Sequence, residues 1–119
     1  MENFTFTPED NSFILEAEGK KLRVSYAEFT GNYEDAMEFC KENGGGDETV
    51  ENLRFIARYR DAINAKLDEL GKDRIEGWYW SNEPSCRYND CSFVVSAYYG
   101  YVNDVHRYGS IYARAVSAL

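Results

Sequence analysis

The hydrophobic period changes twice along this chain, from two to helical after Gly31-Asn32 and back at Trp78, and those changes restrict it to a mixed architecture. Upstream, Tyr33, Ala36, Met37 and Cys40 share one helical face, with Glu34 and Asp35 in the first turn and Gly44 as a stop. A second and longer helix is expected from about Thr49 to Leu70, where Val50, Leu53, Ile56, Ala57, Ile63, Leu67 and Leu70 recur at helical spacing. Asp47 or Thr49 is placed to cap its start and Gly71 to end it. Before these helices, Phe4 and Phe6, Phe13 and Leu15, and Leu22, Val24 and Tyr26 alternate between turn residues as short strands do. From Trp78 onward the runs Trp78 to Trp80, Phe93 to Val95, Tyr99 to Val102 and Ile111 to Val116 predict three or four antiparallel strands. Strands, two helices and then strands make an α+β domain, with its helices gathered on one side of a twisted sheet.

The 119 residues suffice for one core and not for two, so residues 1–119 are read as a single domain. A hydrophobic share of 44% with 29% charged residues is the balance of a chain that folds. No apolar run reaches the roughly 20 residues of a membrane span, and Met1-Glu2-Asn3-Phe4 lacks the basic and apolar stretches of a secretory signal. The expectation is a chain that neither inserts in a membrane nor carries a Sec address. A net charge of -8 would repel a phosphate backbone, which argues against nucleic acid as a partner.

That charge is uneven. Residues 1–76 hold 18 acidic and 10 basic side chains, whereas residues 77–119 hold three of each (Glu83, Asp90 and Asp104 against Arg87, Arg107 and Arg114). Seven of the ten tyrosines and both tryptophans also lie in the second part, which has no Lys. From Ser81 to Leu119, Tyr, Ser, Asn and Gly supply 17 of 39 residues, the mixture of rigid amphipathic contact area and adaptable hydrogen bonding found in antibody paratopes. Arg87, Arg107 and His106 add cationic or switchable anchors. The competing reading is an ordinary aromatic sheet edge.

Other constellations are weaker. Gly44-Gly45-Gly46 lacks the Lys-Ser/Thr of a phosphate cradle and is followed by Asp47 and Glu48, so it reads as a helix end and turn. Cys86 and Cys91, with Cys40 and His106 elsewhere, have neither zinc-knuckle spacing nor a second pair, and Cys40 suits the core. Cys86 or Cys91 with His106 and Asp104 can be drawn as nucleophile, base and orienter, but no nucleophile elbow surrounds them. Glu83-Pro84-Ser85 and Asn89-Asp90 supply oxygens of the kind a calcium ion takes, and ordinary turn chemistry explains them equally well. No cofactor, metal or catalytic role is therefore assigned.

The order of Glu34-Asp35-Ala36-Met37-Glu38-Phe39-Cys40, a Gly loop, Thr49-Val50-Glu51-Asn52-Leu53, Gly77-Trp78-Tyr79-Trp80-Ser81 and Tyr112-Ala113-Arg114-Ala115-Val116 resembles C-type-lectin-fold domains of bacteria and phages. It is most similar to the variable target proteins of diversity-generating retroelements, whose reverse transcriptase rewrites adenine-bearing codons in a C-terminal cassette. The resemblance implies two helices and a twisted antiparallel sheet, with residues 78–119 as the variable ligand-binding region. It implies a binding protein and not an enzyme, with a protein or glycan ligand, a host-cell receptor in the tail fibres of phages and prophages. An AAC-type codon mutated at adenine can yield Asn, Ser, Tyr, Asp, Gly, Arg, His, Cys, Val or Ile, and none of Lys, Glu, Gln, Met or Trp. Carried over position by position, the variable residues are Cys86, Arg87, Tyr88, Asn89, Asp90, Cys91, Tyr98, Tyr99, Tyr101, Asn103, Asp104, Val105, His106, Gly109 and Ile111. Trp78, Trp80, Phe93, Val95, Tyr112 and Val116 are the expected scaffold between them.

Two departures bear on the build. Asp47-Glu48 replace the first two residues of a Leu-Pro-Thr start to the second helix, and Ala115 stands where related domains place a Cys that pairs with the first helix. Cys40 is thus expected to be reduced. The alternatives are an enzyme similar to formylglycine-generating oxidases, acting through a Cys, and a calcium-dependent sugar lectin. Ligand, oligomeric state and attachment to a virion stay open.

Overall fold

The computed structural model describes residues 4–85 and 87–119. Two sheets meet across a common core. The first is an antiparallel meander of β1 (Phe4–Pro8), β2 (Ser12–Ala17) and β3 (Lys20–Ser25), joined at β3 by β9 (Val116–Ala118). The second has the order β4-β8-β5-β6-β7, from β4 (Phe29–Gly31), β8 (Ile111–Ala113), β5 (Trp78–Pro84), β6 (Cys91–Ser96) and β7 (Val102–His106). The chain is therefore α+β, as the changes of period predict. Two sheets replace the one expected, and β5 and β8 run parallel where all pairs were expected to be antiparallel.

Cross-strand register assigns the faces of the second sheet. Tyr79 pairs with Val95, and Trp80 with Val94. Tyr79 and Val95 pack with α2 (Val50–Arg58), α3 (Arg60–Leu70) and the first sheet, around Phe13, Leu15, Leu22, Ile63 and Leu67. Trp80 and Val94 pack against α1 (Tyr33–Glu42) through Ala36 and Cys40. The helices thus cover both faces of this sheet, not one side as expected.

The expected helix from 49 to 70 is two helices broken at Tyr59. Its ring is drawn inward between Phe4 and Phe55, and its hydroxyl donates to Glu18. This tertiary contact is satisfied with Tyr59 at φ -106° and ψ 14°, outside the helical basin. Asn64, fully buried in α3, then exchanges two hydrogen bonds with the backbone of Ile75 and delivers the chain to β5. Thr49 caps α2 and left-handed Gly71 ends α3, as expected.

The last run, read as one strand from Ile111 to Val116, is also split. Arg114 and Ala115 carry the chain from one sheet to the other. Arg114 is 3% exposed, pairs with Glu28 at 2.8 Å and donates to the carbonyls of Ser25, Asp73 and Arg74. Tyr79 donates to the same Glu28 carboxylate at 2.6 Å. Among the expected scaffold residues Trp80, Val95 and Val116 are buried, and Trp78 and Phe93 are half-buried. Tyr112 is instead 39% exposed, its ring lying over Gly77 beside that of Tyr79.

The replaced helix entry has its own construction. Glu48 is 1% exposed, and its carboxylate accepts the N–H groups of Gly46 and Val116 at 2.9 and 2.7 Å. Asp47 accepts the N–H of Ala118 and donates its own to the carbonyl of Val116. The pair covers the free edge of β9, which would otherwise expose unpaired backbone groups. Gly45 is required there, since a Cβ would stand 2.2 Å from the Glu48 carboxylate. Burial pushes the Glu48 carboxyl up, and it pushes the Cys40 thiol up to about 12.

Candidate functional site

The β6–β7 hairpin carries most of the expected contact residues. Its turn closes with the Ser96 N–H on the Tyr101 carbonyl at 2.8 Å and the Gly100 N–H on the Ser96 carbonyl at 2.9 Å. Gly100 takes φ 70° there, with Arg54 and Ala57 of α2 just below it. The left-handed backbone is what favours glycine at this turn, and Tyr98, Tyr99 and Tyr101 around it are 44, 75 and 65% exposed. Their rings form a chain, 6.2 Å from Tyr98 to Tyr99 and 5.3 Å from Tyr99 to Tyr101. The Arg60 guanidinium lies 4.1 Å from the Tyr98 ring centre and steadies one end of the row.

At the other end of the hairpin Cys91 pairs in register with His106. Arg87, Tyr88, Asn89 and Asp90, in the loop between β5 and β6, are exposed around this point, as are His106 and Tyr108. Asp104 differs from its neighbours. Its side chain is 5% exposed, accepting from the Ser85 hydroxyl and pairing with Arg87, and these contacts hold its carboxyl below the usual range. Its carboxylate thus ties Ser85 and Arg87 to the hairpin, while His106 Nδ1 accepts the Tyr108 N–H at 3.3 Å. The drawn Cys91, His106 and Asp104 relay is not assembled by these bonds. Val105 and Ile111 are half-buried against the α1-side core, Gly109 is half-buried and Asn103 exposed. Cys86 lies outside the described residues. Cys40 and Cys91 are free thiols.

The expected surface is therefore two groups, at opposite ends of a five-residue strand, about 17 Å at the usual rise. Between them runs β7, the edge of its sheet. Bonding of Tyr101 and Arg107 to β6 sets the alternation, so that Val102, Asp104 and His106 turn their backbone groups outward. The Asp104 N–H is taken by the Asn103 side chain at 2.9 Å and the His106 carbonyl by the Gly109 N–H at 2.8 Å. An edge blunted in this way offers side chains more readily than a backbone ladder.

The oxygens considered for calcium have other work. Glu83 accepts the Val50 N–H at 2.7 Å, a second cap on α2, and Ser85 serves Asp104. Among the described residues no group of three or more His, Cys, Asp or Glu is placed to hold a metal ion, and no helix is long and apolar enough to cross a membrane.

Arg107, singled out as an anchor, is fixed on both sides of a cleft between α1 and the hairpin. Its Nε donates to buried Ser92 at 2.9 Å, its guanidinium lies 5.1 Å from the Tyr33 ring centre, and its carbonyl accepts the Tyr33 N–H. Tyr33 and Met37 lie on the expected apolar face of α1 and are half-buried against its core, at the margin where the cleft opens. Comparison with protein-family models, with curated proteins and with solved structures gave no match.

Proposed function

We propose that this chain is a ligand-recognition module with a C-type-lectin-like scaffold. In this reading the β6–β7 hairpin and its flanking loops are a replaceable contact surface of the kind that diversity-generating retroelements rewrite. The ligand is a protein or glycan on a cell surface, met by side chains, and the chain performs no catalysis. The observation that carries the reading is the separation of roles inside one segment. Trp80, Val94, Val95 and Val116 are buried, while Tyr88, Tyr99, Tyr101, Asn103 and His106, drawn from the adenine-accessible vocabulary, project from the same strands and loops. Tyr98, Tyr99 and Tyr101 form one contiguous exposed aromatic row, and a patch of that kind marks a contact site on a protein surface.

Replacing Tyr88, Tyr101, Asn103 and His106 together by Ser should cost about 2 kcal/mol or less in all, about 0.5 kcal/mol or less per site, and leave a cooperative thermal transition. Unfolding of that variant would mean that scaffold had been mistaken for surface. The retroelement part has its own test in the neighbouring DNA. A near-repeat of the codons from Trp78 to Val116, differing at adenines and adjacent to a reverse transcriptase gene, is expected; a region without one removes that part.

A further inference from the structure

The cleft beside Arg107 holds about 450 Å3 and has an unusual charge arrangement. Besides Arg107 it is lined by Tyr33, Met37 and Tyr108, by the acidic Glu34 and Asp90, and by Asn32 and His106. Arg107 is held through Ser92 and Tyr33, so little side-chain freedom remains to be lost when it binds. Among the described residues no acceptor faces its two Nη atoms, and neither Glu34 nor Asp90 forms an ion pair with it. A guanidinium fixed by Nε, with its terminal nitrogens unpartnered among the described residues, is suited to receive a carboxylate through two parallel hydrogen bonds.

We propose that this cleft binds a small zwitterion, an α-amino acid or a molecule of like chemistry, with Arg107 taking its carboxylate. A bare carboxylate would meet Arg107 but also the repulsion of Glu34 and Asp90. A bare amine would meet those two and the repulsion of Arg107. A molecule with both groups on a compact apolar body satisfies each side, while half-buried Tyr33 and Met37 offer apolar surface to the body. The volume falls in the range of small-molecule sites, about 300–1,000 Å3. This site goes beyond surface recognition by the tyrosine row and stands without it, so failure here leaves that reading untouched.

Titration of the 15N-labelled protein with L-phenylalanine, L-leucine and glycine, followed by amide shifts, tests the proposal. At least one of the three should give saturable shifts at Tyr33, Arg107 and Tyr108, with 3-phenylpropionate and phenethylamine binding more weakly than phenylalanine. Arg107→Gln should weaken binding about tenfold or more, the loss of a charge-assisted contact. Should that variant fold poorly, the pair Glu34→Gln and Asp90→Asn decides instead. It should weaken phenylalanine and strengthen 3-phenylpropionate, a reversal that loss of structure does not produce. No saturable shift with any zwitterion, or 3-phenylpropionate binding the native protein as tightly as phenylalanine, overturns the proposal.

Discussion

Polar and aromatic residues serve opposite purposes in two regions of this molecule. At the junction of the sheets Arg114 and Glu48 are buried and Glu28 and Asp47 half-buried, and each is tied to backbone groups or to one another. Along the hairpin, Tyr99, Tyr101, Asn103 and His106 are exposed. The contrast teaches that charge in the first region is structural, because a buried ion is tolerated only when paired and hydrogen-bonded. In the second region aromatic area is available for contact.

The largest break in that contrast comes from Arg114. Arg114→Met leaves Glu28 facing the interior with the Tyr79 hydroxyl as its remaining partner, and should cost about 3–5 kcal/mol in urea unfolding. A loss below about 1 kcal/mol would mean that the junction tolerates an unpaired carboxylate and that its charge is not structural.

A smaller effect separates the regions by the sign of their pH dependence. Burial raises the Glu48 carboxyl in the folded state, so the folded form holds its proton longer. Its contribution therefore declines as pH rises from the ordinary carboxylate range through the folded value. Asp104 is held low by Ser85 and then Arg87, so its contribution is present above the ordinary value and is lost as pH falls through the folded one. Thermal midpoints recorded against pH should show Glu48→Gln losing a falling limb and Asp104→Asn losing a rising one. Limbs of the same sign would erase the distinction.

The smallest effect belongs to the row of rings. Tyr99→Ser and Tyr101→Ser should each change stability by about 0.5 kcal/mol or less, as surface substitutions do, measured by the same unfolding curves. A cost near that of a core aromatic, about 3 kcal/mol, would place the turn within the cooperative core and undo the comparison.

Much of the fold was legible because periodicity reports burial locally. The face of α1, the cap at Thr49, the stop at Gly71 and the early strands follow from spacing and capping chemistry. The break at Tyr59 was not legible, since residues 49–70 keep a continuous helical period and the cause is a contact with Glu18 and Phe4 from a distant hairpin. The split at Arg114 was hidden for a related reason. A β-period cannot say that a strand changes sheets, and the partners that hold Arg114 in the gap are Glu28 and the carbonyls of Ser25, Asp73 and Arg74.

The candidate site divides in the same way. Composition alone marked residues 78–119 as the contact-rich third, because a Lys-free, Tyr-rich segment is written in the residues themselves. The sequence by itself determined which side chains are available, and through hydrophobic spacing which class of element carries them. Only the tertiary structure decided that they form two groups at the ends of β7, that Asp104 is a tie and not an exposed contact, and that Arg107 opens onto a cleft with Tyr33. Those outcomes depend on register and packing between residues 49 to 89 positions apart, as from Tyr33 to Asn82 and from Ser25 to Arg114. Such energies belong to pairs of segments, and neither segment carries them alone.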